Sequence, residues 1–418
     1  MIVEGSDIVT VSRTSDAMID SVSEPTDDQV DTSTTTAPPD GATGPLAGVR
    51  VLELGNFIAG PFAGQLLGDY GAEVIKIEAP EGDPMRTWGV TLDDSSLWWP
   101  IIARNKRSVV ADLKDPGDLA LVQRLASECD VILENFRPGV LAKFGLDRAT
   151  VARTNPGVIV THVTGFGQTG PRASEAGFGS IGEAVGGIRH TTGDPDRPPA
   201  RCGISLGDSL AAMFAVIGTL AALHERSVSG LGQEVDVAIY EAVAALMESS
   251  MVDFEVGGVL RERSGGTLPG VAPSNAYPTR DGSEVLIAGN ADTVFVRLCD
   301  AMGRPDLAHD DRYSTHVARG ANERELDTLI AAWTRTVDSG ELLALLREHS
   351  VPAGRVYTAA DMLTDEHYLA REMIERHVAR TGVTTPMLGV VPKFSRTPGA
   401  IRDVGPALGE HTDHYRSA

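Results

Sequence analysis

The sequence predicts an α/β protein, a parallel-sheet domain with helices on its faces followed by a smaller α+β domain. Short apolar runs alternate with helix-period stretches from residue 49 to about 225, and a Gly-, Pro- and Ser-rich stretch then interrupts the pattern at 253–282. Beyond it come one further strand and three amphipathic helical segments. At 418 residues the chain exceeds what one small core serves, which favours two domains over one.

Residues 1–46 carry nine acidic residues against one Arg, include the run TSTTTAPPDGATGP, and offer almost nothing to bury. They read as a disordered acidic leader, with an acidic tail that docks a partner as the functional alternative. A basic start, apolar middle and small-residue cleavage site are missing, so the segment does not read as a signal peptide. From Val49, VRVLEL reads as a strand, PFAGQLLGDYGA as a helix and EVIKIE as a second strand, forming one parallel crossover unit. SVVADL, LALVQRLASE, DVILEN and GVIVTHVTG repeat the alternation. A large domain is therefore expected at 47–225, joined by the C-terminal stretch from about 375 to 418. GDSLAAMFAVIGTLAALHER and VDVAIYEAVAALMESSM read as two long helices around the turn SGLGQ, so 226–274 is expected to be a linker helix and loop. The small α+β domain is expected at 275–365, with EVLIAGN as a strand and helices at 293–302, 323–336 and 339–349.

Composition excludes several function classes. The hydrophobic share of 42% and charged share of 22% are those of ordinary soluble enzymes, and the longest apolar runs read as too short for a membrane span. A formal charge of -22 repels a phosphate backbone, so nucleic acid is not expected as a partner. Cys129, Cys202 and Cys299 are widely spaced with no CxxC pair, which suits neither a disulfide framework nor a zinc site and places the chain in a reducing cytoplasm. The ten histidines show no HxxxH or HExxH spacing, and no metal is expected.

Three glycine-containing turns carry possible chemistry. GFGQTG at 165–170 is a literal GxGxxG after a strand, but Pro171 and RASEAG follow where a dinucleotide site needs a helix, so loop glycines are the better reading. GNFIAGPFAG at 55–64 joins the first strand to the first helix, where ligands collect in open α/β sheets. It is equally a tight turn with Pro61 at the helix start. GISLGDSLAAMF places Asp208 just ahead of a long apolar helix. On spacing alone it is either a helix N-cap or a carboxylate nucleophile served by the helix terminus.

GPLAGVRVLELGNFIAGPFAGQLLGDYGAEVIKIEAPEGDPMR, NKRSVVADLK, DVILENFRPGVLAKFGLD, VTGFGQTGP, GISLGDSLA, GLGQEVDVAIYEAV and LGEHTDHY follow one another in order. Together they resemble the class III CoA-transferases, from about residue 45 to the C-terminus. That superfamily includes formyl-CoA:oxalate, carnitine and succinyl-CoA:dicarboxylate transferases and the α-methylacyl-CoA racemases. The resemblance implies a Rossmann-like CoA-binding domain and an interlocked homodimer, with Asp208 attacking an acyl-CoA thioester to give an aspartyl-CoA intermediate. CoA is then substrate and carrier, and no cofactor is required. The matching CoA positions are Ile58 and Ala59, Ala111, Asp112, Leu113 and Lys114, Asn135, Phe136 and Arg137, Lys143, and Gly177, Phe178 and Gly179. Lys143 replaces an arginine common in the family and meets a phosphate as a point charge.

Two departures bear on the activity. Phe178-Gly179 stands where many members carry tyrosine-aspartate and the racemases histidine-aspartate, which removes the second base a racemase needs and leaves racemisation as the runner-up. Glu183 stands where glutamine is usual, and is either a group that polarises the acid substrate or a solvated helix residue. Backbone N–H groups around 177–180 or 203–207 are candidate oxyanion donors. Arg189, His190 and Arg201 lie near Asp208 in sequence and are candidates to hold a second carboxylate, favouring a dicarboxylic acid acceptor, with basic residues on a surface loop as the alternative. A CoA-binding regulatory protein without turnover and a dehydrogenase-like dinucleotide binder remain as readings from other classes.

Overall fold

The computed structural model describes residues 43–93 and 95–417. Most of the 1–46 leader therefore lies outside the described residues. The central sheet has six parallel strands: β1 (Arg50–Glu53), β2 (Glu73–Glu78), β3 (Lys106–Val110), β4 (Val131–Glu134), β5 (Ile159–Thr164) and β6 (Glu234–Ala238). Their spatial order is β3-β2-β1-β4-β5-β6. Chain order therefore reverses between β1 and β4, and the ends of those two strands open a crevice.

Near-continuous apolar runs such as RVLE and VILE form these strands because both faces are covered. On one face α1 (Ala59–Asp69) brings Ala59, Ala63 and Leu67 against Val51, Val74 and Leu133. On the other, α2 (Pro116–Glu128) brings Leu121, Val122 and Leu125 against Leu52, Ile75 and Ile132. Asp115 caps α2 through the amides of Gly117 and Asp118, with Pro116 in the first turn, so the sequence specifies where this helix starts. After β5 the chain makes the short helices α3 (Gly179–Val185) and α4 (Ile188–Thr191), then α5 (Leu206–Ser229).

Two expectations are corrected here. VDVAIYEAVAALMESSM is not a long helix: EVDVA forms β6, paired in parallel with β5, and only Ile239–Ala244 (α6) is helical directly after it. The unfilled edge of β5 outweighs the helical preference of this segment, because pairing there satisfies a row of backbone groups and buries Val237 and Ala238. The stretch 226–274 thus contributes a core strand and is more than a linker. The second correction concerns apolar length. The 24-residue α5 holds an 18-residue window of mean hydropathy 1.8, long and apolar enough to cross a membrane, yet 44% of that window is buried within the protein. Ala211, Ala212 and Ala215 of α5 are fully buried in the same core as α1, while Met213 and Ile217 face outward.

A second core lies around β7 (Ser274–Pro278), β8 (Glu284–Ala288) and β9 (Ala353–Arg355), an antiparallel sheet in the order β9-β8-β7. Tyr277, Val285 and Ile287 pack there with Phe295, Leu326 and Leu342 from the helices Asp292–Ala301, Glu323–Thr334 and Ser339–Glu348. The C-terminal stretch returns to the large sheet, where Tyr415 is buried and its hydroxyl donates to Glu73 at 2.5 Å.

Candidate active site

The crevice between β1 and β4 holds a cavity of about 320 Å³. Its lips are the turns that follow the two strands, Asn56–Ala59 after β1 and Asn135–Pro138 after β4, and its floor includes Gly177, Phe178 and Asp208. The lips are tied together by Asn135, whose amide accepts from the Asn56 N–H at 2.9 Å and donates to the Asn56 carbonyl at 2.8 Å. Phe57 sits at φ 65°, in the left-handed region that a bulky residue adopts only when its surroundings impose it. Its ring makes edge contacts with Trp88 at 5.3 Å and Phe178 at 6.2 Å, giving the cavity an aromatic wall.

Asp208 is not the N-cap of α5. Ser205 holds that position without a side-chain bond, and Asp208 is the third helical residue, in the first turn where a carboxylate is favoured by the helix dipole. Gly179 leaves room for its carboxylate: a Cβ there would lie 2.2 Å from Asp208 Oδ2 and force the carboxylate to move. Among the described residues no side chain forms a hydrogen bond or ion pair with the Asp208 carboxylate. Burial pushes its pKa up to about 6, the nearby Glu183 carboxylate adds to the rise, and Arg201 opposes it.

Glu183 is 1% exposed, so it is not a solvated helix residue. Its Oε2 meets Arg189 Nε at 2.9 Å and Arg201 Nε at 3.7 Å, while Oε1 accepts from the Gly207 N–H at 3.3 Å. The structure thus places two of the three candidate substrate residues on Glu183, and uses the Gly207 amide that was a candidate oxyanion donor. His190 pairs with Glu262 at 3.2 Å instead of joining them.

Of the expected CoA positions, Ile58, Ala59, Asn135, Phe136, Arg137, Gly177 and Phe178 line the cavity, and Gly179 abuts Asp208. Ala111, Asp112, Leu113 and Lys114, after β3, do not line it, and neither does Lys143 on the short helix Val140–Lys143. Lys114 and Lys143 are exposed, whereas Ala111 is buried and donates to the Glu78 carbonyl at 2.9 Å. Sequence reasoning did not single out Asn56, Phe57, Thr164, Gly165 or Glu175 as lining residues. The first two belong to the GNFIAG turn it had marked, whereas Glu175 lies in a loop with no distinguishing pattern.

GFGQTG forms a loop whose amides are engaged locally, Gly167 with Thr164 Oγ1 at 2.9 Å and Gln168 with Asp236 Oδ2 at 2.8 Å. The next helix starts at Gly179, so none faces this loop as a dinucleotide site needs. Among the described residues, no group of three His, Cys, Asp or Glu side chains is placed to hold a metal ion.

Residues 46–412 match the family described as CoA-transferase family III. A succinyl-CoA–D-citramalate CoA-transferase of Chloroflexus aurantiacus is 56% identical over 375 residues, covering 88% of this chain and 92% of that protein. The alpha subunit of a succinyl-CoA–L-malate CoA-transferase of Chloroflexus aurantiacus is 38% identical over 372 residues, covering 88% and 87%. Among solved structures, a CAIB/BAIF family protein from Brucella suis superposes with a TM-score of 0.79 at 36% identity, covering 90% of this chain and 99% of that one.

Proposed function

The chain belongs to CoA-transferase family III, and from that premise we propose that it moves CoA from succinyl-CoA to a hydroxylated dicarboxylic acid through a covalent intermediate on Asp208. The observation that carries the mechanism is the Asp208 carboxylate, which lies on the cavity floor without a side-chain partner among the described residues while its neighbour Glu183 is fully engaged. The greater identity to a D-citramalate transferase than to an L-malate transferase, 56% against 38%, supports D-citramalate as the acceptor.

In this reading the acyl-CoA thioester lies between the two lips with its carbonyl over Asp208. An Asp208 oxygen attacks the carbonyl carbon, the C–S bond breaks, and CoA leaves as a thiolate from a mixed anhydride. The thiolate attacks the aspartyl carbonyl, releasing succinate and leaving an aspartyl-CoA thioester. An acceptor carboxylate then attacks that thioester, and the thiolate returns to the acceptor's acyl carbon, restoring the Asp208 carboxylate. Covalent catalysis replaces one difficult exchange by easier steps. The Gly179 and Ser180 amides, which have no intrahelical acceptor at the start of α3, are the oxyanion donors in this reading. Arg201, half exposed and at the longer distance from Glu183, is the cation for the acceptor's far carboxylate. No metal or resident cofactor enters this scheme.

The test is the mass of the protein after incubation with succinyl-CoA and hydroxylamine. A hydroxamate is expected on the peptide carrying Asp208 and is expected to vanish in Asp208→Asn. A label on the Glu183 peptide, or turnover retained in the asparagine variant, would remove Asp208 from the mechanism. An acceptor panel of D-citramalate, L-malate and glutarate is expected to rank D-citramalate first by kcat/KM.

A further inference from the structure

The two lips of the cavity are held in the same way from beneath. On the first, the Phe57 N–H donates to Asp83 Oδ1 at 3.3 Å, and the same oxygen accepts from the Met85 N–H at 2.9 Å. Asp83 Oδ2 meets Lys76 Nζ at 2.8 Å, and that ammonium group also donates to the Gly55 carbonyl at 2.7 Å. The backbone on both sides of Asn56 is therefore anchored to one buried ion pair. On the second lip, the Phe136 N–H donates to Glu134 Oε2 at 2.6 Å, and the other oxygen of Glu134 bonds to His162 Nδ1. Asp83 and Glu134 are each 2% exposed, and neither lines the cavity. Both aromatic residues they hold do line it.

We propose that Asp83 and Glu134 are positioning residues for the CoA thioester, each fixing the backbone of one cavity lip through a single aromatic residue's amide. The proposal rests on the reading that this cavity takes an acyl-CoA. Phe57 shows why the fixing is needed: left to itself, its left-handed backbone would relax toward the extended region, taking the ring away from Phe178 and the cavity wall. The cations have a different task. Lys76 and His162 stand against the two buried carboxylates as the opposing charges that a buried carboxylate needs. For His162, burial favours the neutral ring, but the Glu134 carboxylate outweighs it and holds the imidazole above its ordinary range. An acceptor lost from beneath a lip widens the crevice and weakens binding of the thioester, while Asp208 and the groups around it are untouched.

The experiment compares alanine with the matching amide at each position in the full chain. Asparagine at 83 and glutamine at 134 retain a carbonyl oxygen for the phenylalanine amide, and alanine does not. Asp83→Ala and Glu134→Ala are expected to raise KM for succinyl-CoA and Kd for CoA about tenfold, with kcat within about threefold, the loss of one hydrogen bond to a charged acceptor. Asp83→Asn and Glu134→Gln are expected to recover most of that affinity while melting earlier than wild type. Should Asp83→Ala not fold, Asp83→Ser replaces it, because serine caps Met85 yet is too short to reach Phe57, and the same rise in KM is expected. Alanine or serine variants that bind CoA as wild type does, or amide variants as weak as alanine, would overturn the proposal alone. A wild-type protein that does not bind CoA would overturn the underlying reading and the proposal with it.

Discussion

Beneath the first lip, Glu53 and Asp83 are buried with two ammonium groups against them. Lys76 meets Glu53 at 2.9 Å and Asp83 at 2.8 Å, and Lys106 meets the other Glu53 oxygen at 2.8 Å. On the cavity floor, Asp208 is half-buried beside the fully buried Glu183 carboxylate, and Arg189 and Arg201 are committed to Glu183. The first arrangement holds the chain in place, since every buried charge has an opposite charge in contact. The second leaves one carboxylate poorly satisfied, which costs stability and supplies reactivity. The pairing of a carboxylate therefore tells a structural acid from a reactive one.

The sharpest way to break the comparison is Asp208→Asn. Transfer is expected to fall about 10⁴-fold, the scale of losing a covalent catalyst. Stability is expected to rise. A carboxyl whose pKa is raised from 3.8 to about 6 on folding carries no penalty when protonated in both states, acquires one as pH climbs through that window, and bears it fully above about 6. Two units correspond to about 3 kcal/mol at most, so urea unfolding at pH 7 should show a gain of about 1–3 kcal/mol that disappears below pH 4. Loss of stability in the variant would place Asp208 with the structural acids.

Glu53→Gln tests the other region. It leaves Lys76 and Lys106 buried with one carboxylate fewer, and destabilisation by about 3–5 kcal/mol is expected in the same urea assay. A change below about 1 kcal/mol would show that the cluster is not matched as described.

Gly179→Ala separates position from stability. The added methyl meets the far end of the Asp208 side chain, which can swing aside, so the fold should lose less than about 1 kcal/mol. Displacing the carboxylate by about an ångström should lower kcat/KM roughly 10²-fold. Unchanged kcat/KM would mean that the placement of Asp208 is not critical.

The smallest effect concerns pH. The activity of wild type, followed as kcat/KM, is expected to fall as pH drops through about 6, because only the ionised carboxylate attacks. Arg201→Gln removes the one charge that opposes the rise, so the acid limb should move to higher pH. A limb that stays in place in this variant would show that Arg201 does not act on Asp208.

Several features follow from local sequence. The runs VRVLEL, EVIKIE, SVVADL, DVILEN and GVIVTHVTG are apolar throughout because both faces of each strand are buried, and that pattern is visible without a structure. The turn GNFIAG stands out because ligands gather at strand ends and Asp208 because it stands at the start of a long helix, whereas the segment ENF and the nucleophile role of Asp208 come from the family resemblance. Other features depended on which side chains meet across the fold. VDVA became a strand because β5 presented an edge to it. Asp208 and the buried Glu183 differ in role because Arg189 and Arg201 reach one and not the other, a matter of orientation that residue type does not encode. The grips of Asp83 on Phe57 and of Lys76 on Gly55 join residues 26 and 21 positions apart, brought together only when β1 and β2 pair. Periodicity reports how each segment is buried, whereas hydrogen bonds and charge pairing between segments depend on distances of a few ångströms that only the assembled sheet defines.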